Sequence, residues 1–72
     1  MPEAIATCVL TNTLSLELRK IDYGGDEVLI TENGKNPQWY DTYLIYNEIS
    51  EEKEIGIFYG KLPVPLSEFI RI

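Results

Sequence analysis

Apolar and polar positions change places every second residue through much of this chain, in short runs cut by turn residues; that period of two predicts strands. Residues 5–11, "IATCVLT", are β-branched and apolar and read as a first strand. In "TLSLELRKI", Leu14, Leu16 and Leu18 share one face and Ser15, Glu17 and Arg19 the other. The same stretch offers Leu10, Leu14, Leu18 and Ile21 at helical spacing, with Thr or Asn as an N-cap and Gly24 as a stop. A short helix therefore competes with the strand over residues 13–21. "DYGGDE" is a turn, since paired glycines reach positive φ at little cost. "EVLITEN" is the next strand, ended by Asn33 and Gly34. Pro37 cannot donate to a ladder, so the strand after it starts beyond the "KNPQ" loop.

"WYDTYLIYNEI" is the strongest strand signal, "SEEKE" its charged hairpin tip and "IGIFYG" the returning strand. Gly56 and Gly60 predict a bulge or tight curve there. The chain ends on "GKLPVPLSEFIRI". Pro63 and Pro65 alternate with Leu62, Val64 and Leu66, which predicts an extended, semi-rigid run; the spacing is not that of a PxxP ligand. Ser67 is placed to cap one helical turn, Phe69 to enter the core, and Ile70 and Ile72 to flank Arg71 in a short closing strand.

About five strands joined by tight turns predict one small β domain over residues 1–72, a barrel whose partial closure removes exposed edges. From Gly25 onward the order of features resembles the Src-homology-3-type (SH3-like) barrel. Gly25 and Asp26 match the GD pair that opens the family's second strand, "TENGKNPQ" its variable loop, and Trp39 the tryptophan at the start of its third strand. "EIGIFYG" matches the glycine-bearing fourth strand. Gly60, Pro63, Pro65, "LSEF" and "IRI" match the glycine, proline, single helical turn and short last strand. The resemblance implies an all-β, five-stranded, partly closed SH3-like barrel with a single helical turn before the last strand. It maps Trp39, Pro65 and Phe69 onto the family's peptide groove. The chain departs from the peptide-binding members in three ways: "TCVLTN" replaces their aromatic "ALYDY"-like start, Phe69 stands where tyrosine is usual, and there is one extra proline. The resemblance thus implies a topology more than a proline-rich ligand.

Length sharpens this picture. A 72-residue chain buries only about 60% of its unfolded surface, so its core is thin. One cysteine and no histidine exclude an internal disulfide and a zinc staple. Burial against a protein partner, or in a homodimer, is therefore expected. Twelve acids against six bases give a net charge of −6, which speaks against nucleic acid as a partner, because phosphates call for Lys and Arg. The opening "MPEAIATCVL" lacks the basic start and long apolar run of a secretory signal. No stretch reaches the ~20 apolar residues of a membrane span. A cytoplasmic protein with no membrane contact is expected.

Candidate chemistry is sparse. Nucleophilic mechanisms pair Ser, Cys or Thr with a base, usually histidine, and the chain has none. Cys8 lies in an apolar β run and reads as a small buried hydrophobe. The acids cluster as Asp22, Asp26 and Glu27, and as Glu48, Glu51, Glu52 and Glu54, in turns where solvated charge is expected. "YGGDE" lacks the lysine and spacing of a phosphate loop, and the calcium-loop pattern is missing. No catalytic, cofactor-binding or metal-binding residue is predicted, and no enzyme is expected.

The aromatic residues carry more. Trp39, Tyr40, Tyr43, Tyr46, Phe58 and Tyr59 fall on one proposed hairpin, with Tyr40, Leu44 and Tyr46 on one face and Trp39, Tyr43 and Ile45 on the other. Both faces are partly apolar, whereas a monomer needs one for its core. The expected function is a non-enzymatic protein-interaction module. Its aromatic patch is Trp39, Tyr43 and Tyr59, with Pro65 and Phe69 from the groove, an acidic rim, and a protein or its own copy as partner. The alternative is a small acidic inhibitor of the phage type, whose seven turn acids stand in for phosphates in a basic groove. That reading needs the acids on one face, and a binding that weakens with salt.

Overall fold

The computed structural model describes residues 3–72; Met1 and Pro2, part of the predicted single domain and of the stretch read for a leader, lie outside the described residues. The period of two is realised as eight strands: β1 (Ala6–Thr11), β2 (Leu14–Asp22), β3 (Glu27–Glu32), β4 (Gln38–Asp41), β5 (Tyr43–Asn47), β6 (Glu52–Tyr59), β7 (Leu62–Pro65) and β8 (Ile70–Arg71). One 3-10 turn, Leu66–Glu68, precedes β8, as expected. The contest over residues 13–21 goes to the strand. In β2 the alternation buries Leu16 and Leu18 together, which a helical spacing of apolar residues would not do.

The strands form two antiparallel sheets. The larger has the order β4-β3-β2-β1-β8 and the smaller β5-β6-β7. This corrects the five-stranded, partly closed barrel: among the described residues there are eight strands, and no ladder joins the two sheets. The reason lies at Thr42. Its backbone N–H and its hydroxyl both donate to the Asp26 carbonyl, at 3.0 and 2.9 Å. That bend splits the predicted "WYDTYLIYNEI" strand into β4, in one sheet, and β5, in the other. The hairpin tip also moves, to residues 48–51, so that Glu52 and Glu54 lie within β6. Ser67 does not cap the helical turn; Pro65 occupies the cap position with no side-chain bond.

The core sits between the sheets. Ala6, Cys8, Leu16, Leu18, Val28 and Ile30 come from the larger sheet, Ile57 and Val64 from the smaller, and Phe69 from the closing segment. Five of the aliphatic side chains, Leu16, Val28, Ile30, Ile57 and Val64, are essentially inaccessible to solvent. Each contributes about 1.5–3 kcal/mol relative to exposure. β3 is buried on both faces, because Leu29 and Thr31 on its outer side are covered as well. The bulge at Arg19, between Leu18 and Lys20, turns that guanidinium onto the outer face. There its Nε donates to Thr31 Oγ1 at 2.6 Å and it pairs with Glu17 at 3.6 Å.

Gly56 shapes the smaller sheet. A Cβ there would meet Ile45 Cδ1 at 2.5 Å, the Val64 carbonyl oxygen at 2.6 Å and Pro65 Cα at 2.9 Å. Only glycine lets β5 and β7 close over β6 at this point. Ile45 and Pro65 are buried there as a second small apolar cluster.

Candidate interaction surface

The structure separates the five predicted patch residues. Trp39 lies on the outer face of the larger sheet opposite Leu29, and is 47% exposed. Tyr43 begins β5 in the smaller sheet, beyond the Thr42 bend. Tyr59 is partly buried at the end of β6, where its hydroxyl donates to a Glu32 carboxylate oxygen and ties the two sheets together. Pro65 and Phe69, the groove positions implied by the resemblance, are buried by the fold. Trp39, Tyr43 and Tyr59 therefore do not form one patch with them.

A different patch is present on the β5–β6 hairpin. On one face Tyr43 and Phe58 meet edge to face, with ring centroids 5.4 Å apart at 65°. On the other, Leu44 pairs with Ile55 and Tyr46 with Lys53. Leu44, Ile55 and Tyr46 are 64%, 53% and 57% exposed. The cause is geometric. Along β6, Ile57 faces Val64 inside the core; two residues earlier on the same face, Ile55 has passed the rim of the larger sheet. That rim is the β2–β3 turn, and between them lies a cleft of about 220 Å³. Ile21, Tyr23, Ile55 and Leu66 give it apolar walls, and Asp22, Asp26 and Glu27 sit at its edge. Leu44 and Ile55 were not singled out from sequence as site residues. Their signal was the apolar character of both hairpin faces.

The acids hold turns in place. Asp22 Oδ1 accepts the backbone N–H groups of Gly24 and Gly25 at 3.1 and 3.2 Å, and Asp26 takes a positive φ of 53°. Glu27 starts β3 opposite Asp41. At the other tip, Glu48 and Glu51 lie in the loop and Glu52 faces Asn47. Glu54 accepts from Asn47 Nδ2 and from the Ser50 hydroxyl. Hydrogen bonds from Ser67 first, then Asn47 and Ser50, hold the Glu54 carboxyl below its ordinary range. The first group lies by the start of β5; of the second, Glu48, Glu51 and Glu52 lie by its end, and Glu54 faces its middle residue, Ile45.

The remaining perturbed groups are structural bonds. The Tyr59 hydroxyl holds Glu32 below its usual value, helped by Lys35, and Tyr59 is itself pushed up to about 12. Burial, then the charge of Glu32, raises Tyr40. Burial, then the charge of Glu68, raises the Cys8 thiol, which keeps it protonated and poorly nucleophilic. Among the described residues no three of His, Cys, Asp and Glu converge on a metal position, and no helix is long and apolar enough to cross a membrane. No protein-family model matches this chain, and no curated protein or solved structure matches it either.

Proposed function

We propose that the protein is a non-catalytic protein-interaction module whose contact surface is the β5–β6 hairpin. The single observation that supports this is the exposure of Tyr43, Leu44, Tyr46, Ile55 and Phe58 on one hairpin of a small domain. Tyrosine and apolar side chains of this kind anchor contact surfaces, and the carboxylates of the β2–β3 turn supply the acidic rim beside them. The SH3-like reading stays a statement about topology. It is supported by Gly25 and Asp26 ahead of β3, Trp39 in β4, Gly56 in β6 and one helical turn before the last strand. It carries no function by itself. A buried, unpaired Cys8 suits a reducing cytoplasm. The alternative, a small acidic inhibitor with its acids on one face, rests on the net charge of −6 alone.

The test is cross-linking at native abundance, with wild type, Leu44→Glu and Trp39→Ala compared. Loss of the cross-linked species in Leu44→Glu but not in Trp39→Ala is the expected result. Identical cross-links in wild type and Leu44→Glu would overturn the reading.

A further inference from the structure

Each sheet has two outer strands, and three of the four are poor templates for another strand. β7 carries Pro63 and Pro65, which offer no N–H. β8 has two residues, and β4 has four, preceded by Pro37. β5 differs. Its five residues, Tyr43, Leu44, Ile45, Tyr46 and Asn47, include no proline and no charge. It is laddered to β6 on one side only. Beyond that ladder, the backbone bond recorded for β5 among the described residues is Glu51 N–H to the Asn47 carbonyl, at the loop.

We propose that β5 pairs antiparallel with β5 of a second copy, joining two three-stranded sheets into one six-stranded sheet across a two-fold axis. This deepens, and rests on, the reading of the hairpin as a contact surface. A two-fold axis perpendicular to the sheet keeps each face on its own side, so a residue faces a partner of the same parity. The register that pairs the whole strand is centred on Ile45. Leu44 then faces the partner's Tyr46, and Tyr43 faces the partner's Asn47. Just outside the strand, Thr42 faces the partner's Glu48 and Asp41 faces the partner's Ile49. No acid opposes an acid, although each chain carries a net charge of −6. A register shifted by two, centred on Leu44, would break the Leu–Tyr pairing and leave Asn47 opposite Asp41.

Because the pairing is isologous, it closes at two copies and does not propagate.

Sedimentation equilibrium of the full chain tests this across a concentration series. Wild type is expected to rise from 8.3 kDa to twice that mass as concentration increases. Added salt should tighten the dimer, since it screens repulsion between two acidic chains. Leu44→Lys/Tyr46→Lys sets introduced lysines against each other across the axis and should stay at 8.3 kDa with its thermal transition intact. Leu44→Lys/Tyr46→Glu sets opposite charges across the same positions and should regain the dimer. Should a double variant fail to fold, amide exchange of wild type decides: protection at residues 43–47 should rise with protein concentration. A wild-type mass of 8.3 kDa at every concentration overturns the proposal. So does a dimer that survives Leu44→Lys/Tyr46→Lys, or exchange at residues 43–47 that ignores concentration. A monomeric wild type whose cross-links to another protein vanish in Leu44→Glu would remove this proposal and leave the contact surface standing.

Discussion

The β2–β3 and β5–β6 hairpins carry comparable apolar alternation, yet they meet opposite fates. In β3, four consecutive residues, Val28, Leu29, Ile30 and Thr31, are buried on both faces. In β5, Tyr43, Leu44 and Tyr46 stay exposed, and Ile45 alone is buried. The difference comes from what lies across each hairpin. β2–β3 is the middle of the larger sheet, with the smaller sheet over its inner side and the Arg19 guanidinium on its outer side. β5–β6 runs past the rim of that sheet, and nothing in the chain's described residues is left to cover its far end. Apolar pattern therefore specifies strand and face, but whether a face becomes core depends on how far the opposing sheet extends.

The largest expected effects lie on the covered side. Removing residues 69–72 takes Phe69 out of the core and β8 off β1, and should abolish the cooperative thermal transition; a truncated chain that melts as wild type does would break the account of the closing segment. Ile30→Ala should cost about 2–5 kcal/mol in denaturant unfolding, since its side chain is fully enclosed. Gly56→Ala should cost about 1–3 kcal/mol, because a methyl group must displace Ile45 and the β7 backbone.

A smaller effect separates the seam from both hairpins. The Tyr59 hydroxyl lowers the Glu32 carboxyl, so the folded state favours the carboxylate. That stabilisation is complete above the ordinary value of 4.5 and is lost as pH falls through the lowered folded value. On the alkaline side Tyr59 is raised, so its contribution is complete below 10 and lost as pH rises towards about 12. Tyr59→Phe should lower the melting temperature at neutral pH and flatten its fall in acid; an unchanged acid limb would show that the bond does not hold the sheets together.

Much of the fold was legible. Period two in "TLSLELRKI" placed Leu16 and Leu18 on one face, and the structure buries both. The "LSEF" turn and the inward Phe69 also appeared as expected. The division into two sheets was not legible, because Thr42 looks like an ordinary β-branched strand residue. Its bend depends on the Asp26 carbonyl, sixteen positions away. Of the residues expected to form the patch, Tyr43 is exposed, whereas Pro65 and Phe69, drawn from a family's groove, are buried. Leu44 and Ile55 were not singled out, because their exposure depends on where the larger sheet ends.

The most direct measurement is the thermal unfolding of Leu44→Glu, made at dilute protein so that association does not contribute. If the Leu44, Tyr46 and Ile55 face of β5–β6 is a contact surface, a buried-type penalty is missing and stability stays within about 0.5 kcal/mol of wild type. A loss of about 2 kcal/mol or more, comparable to Ile30→Ala, would mean that this face is core in solution and would contradict the account.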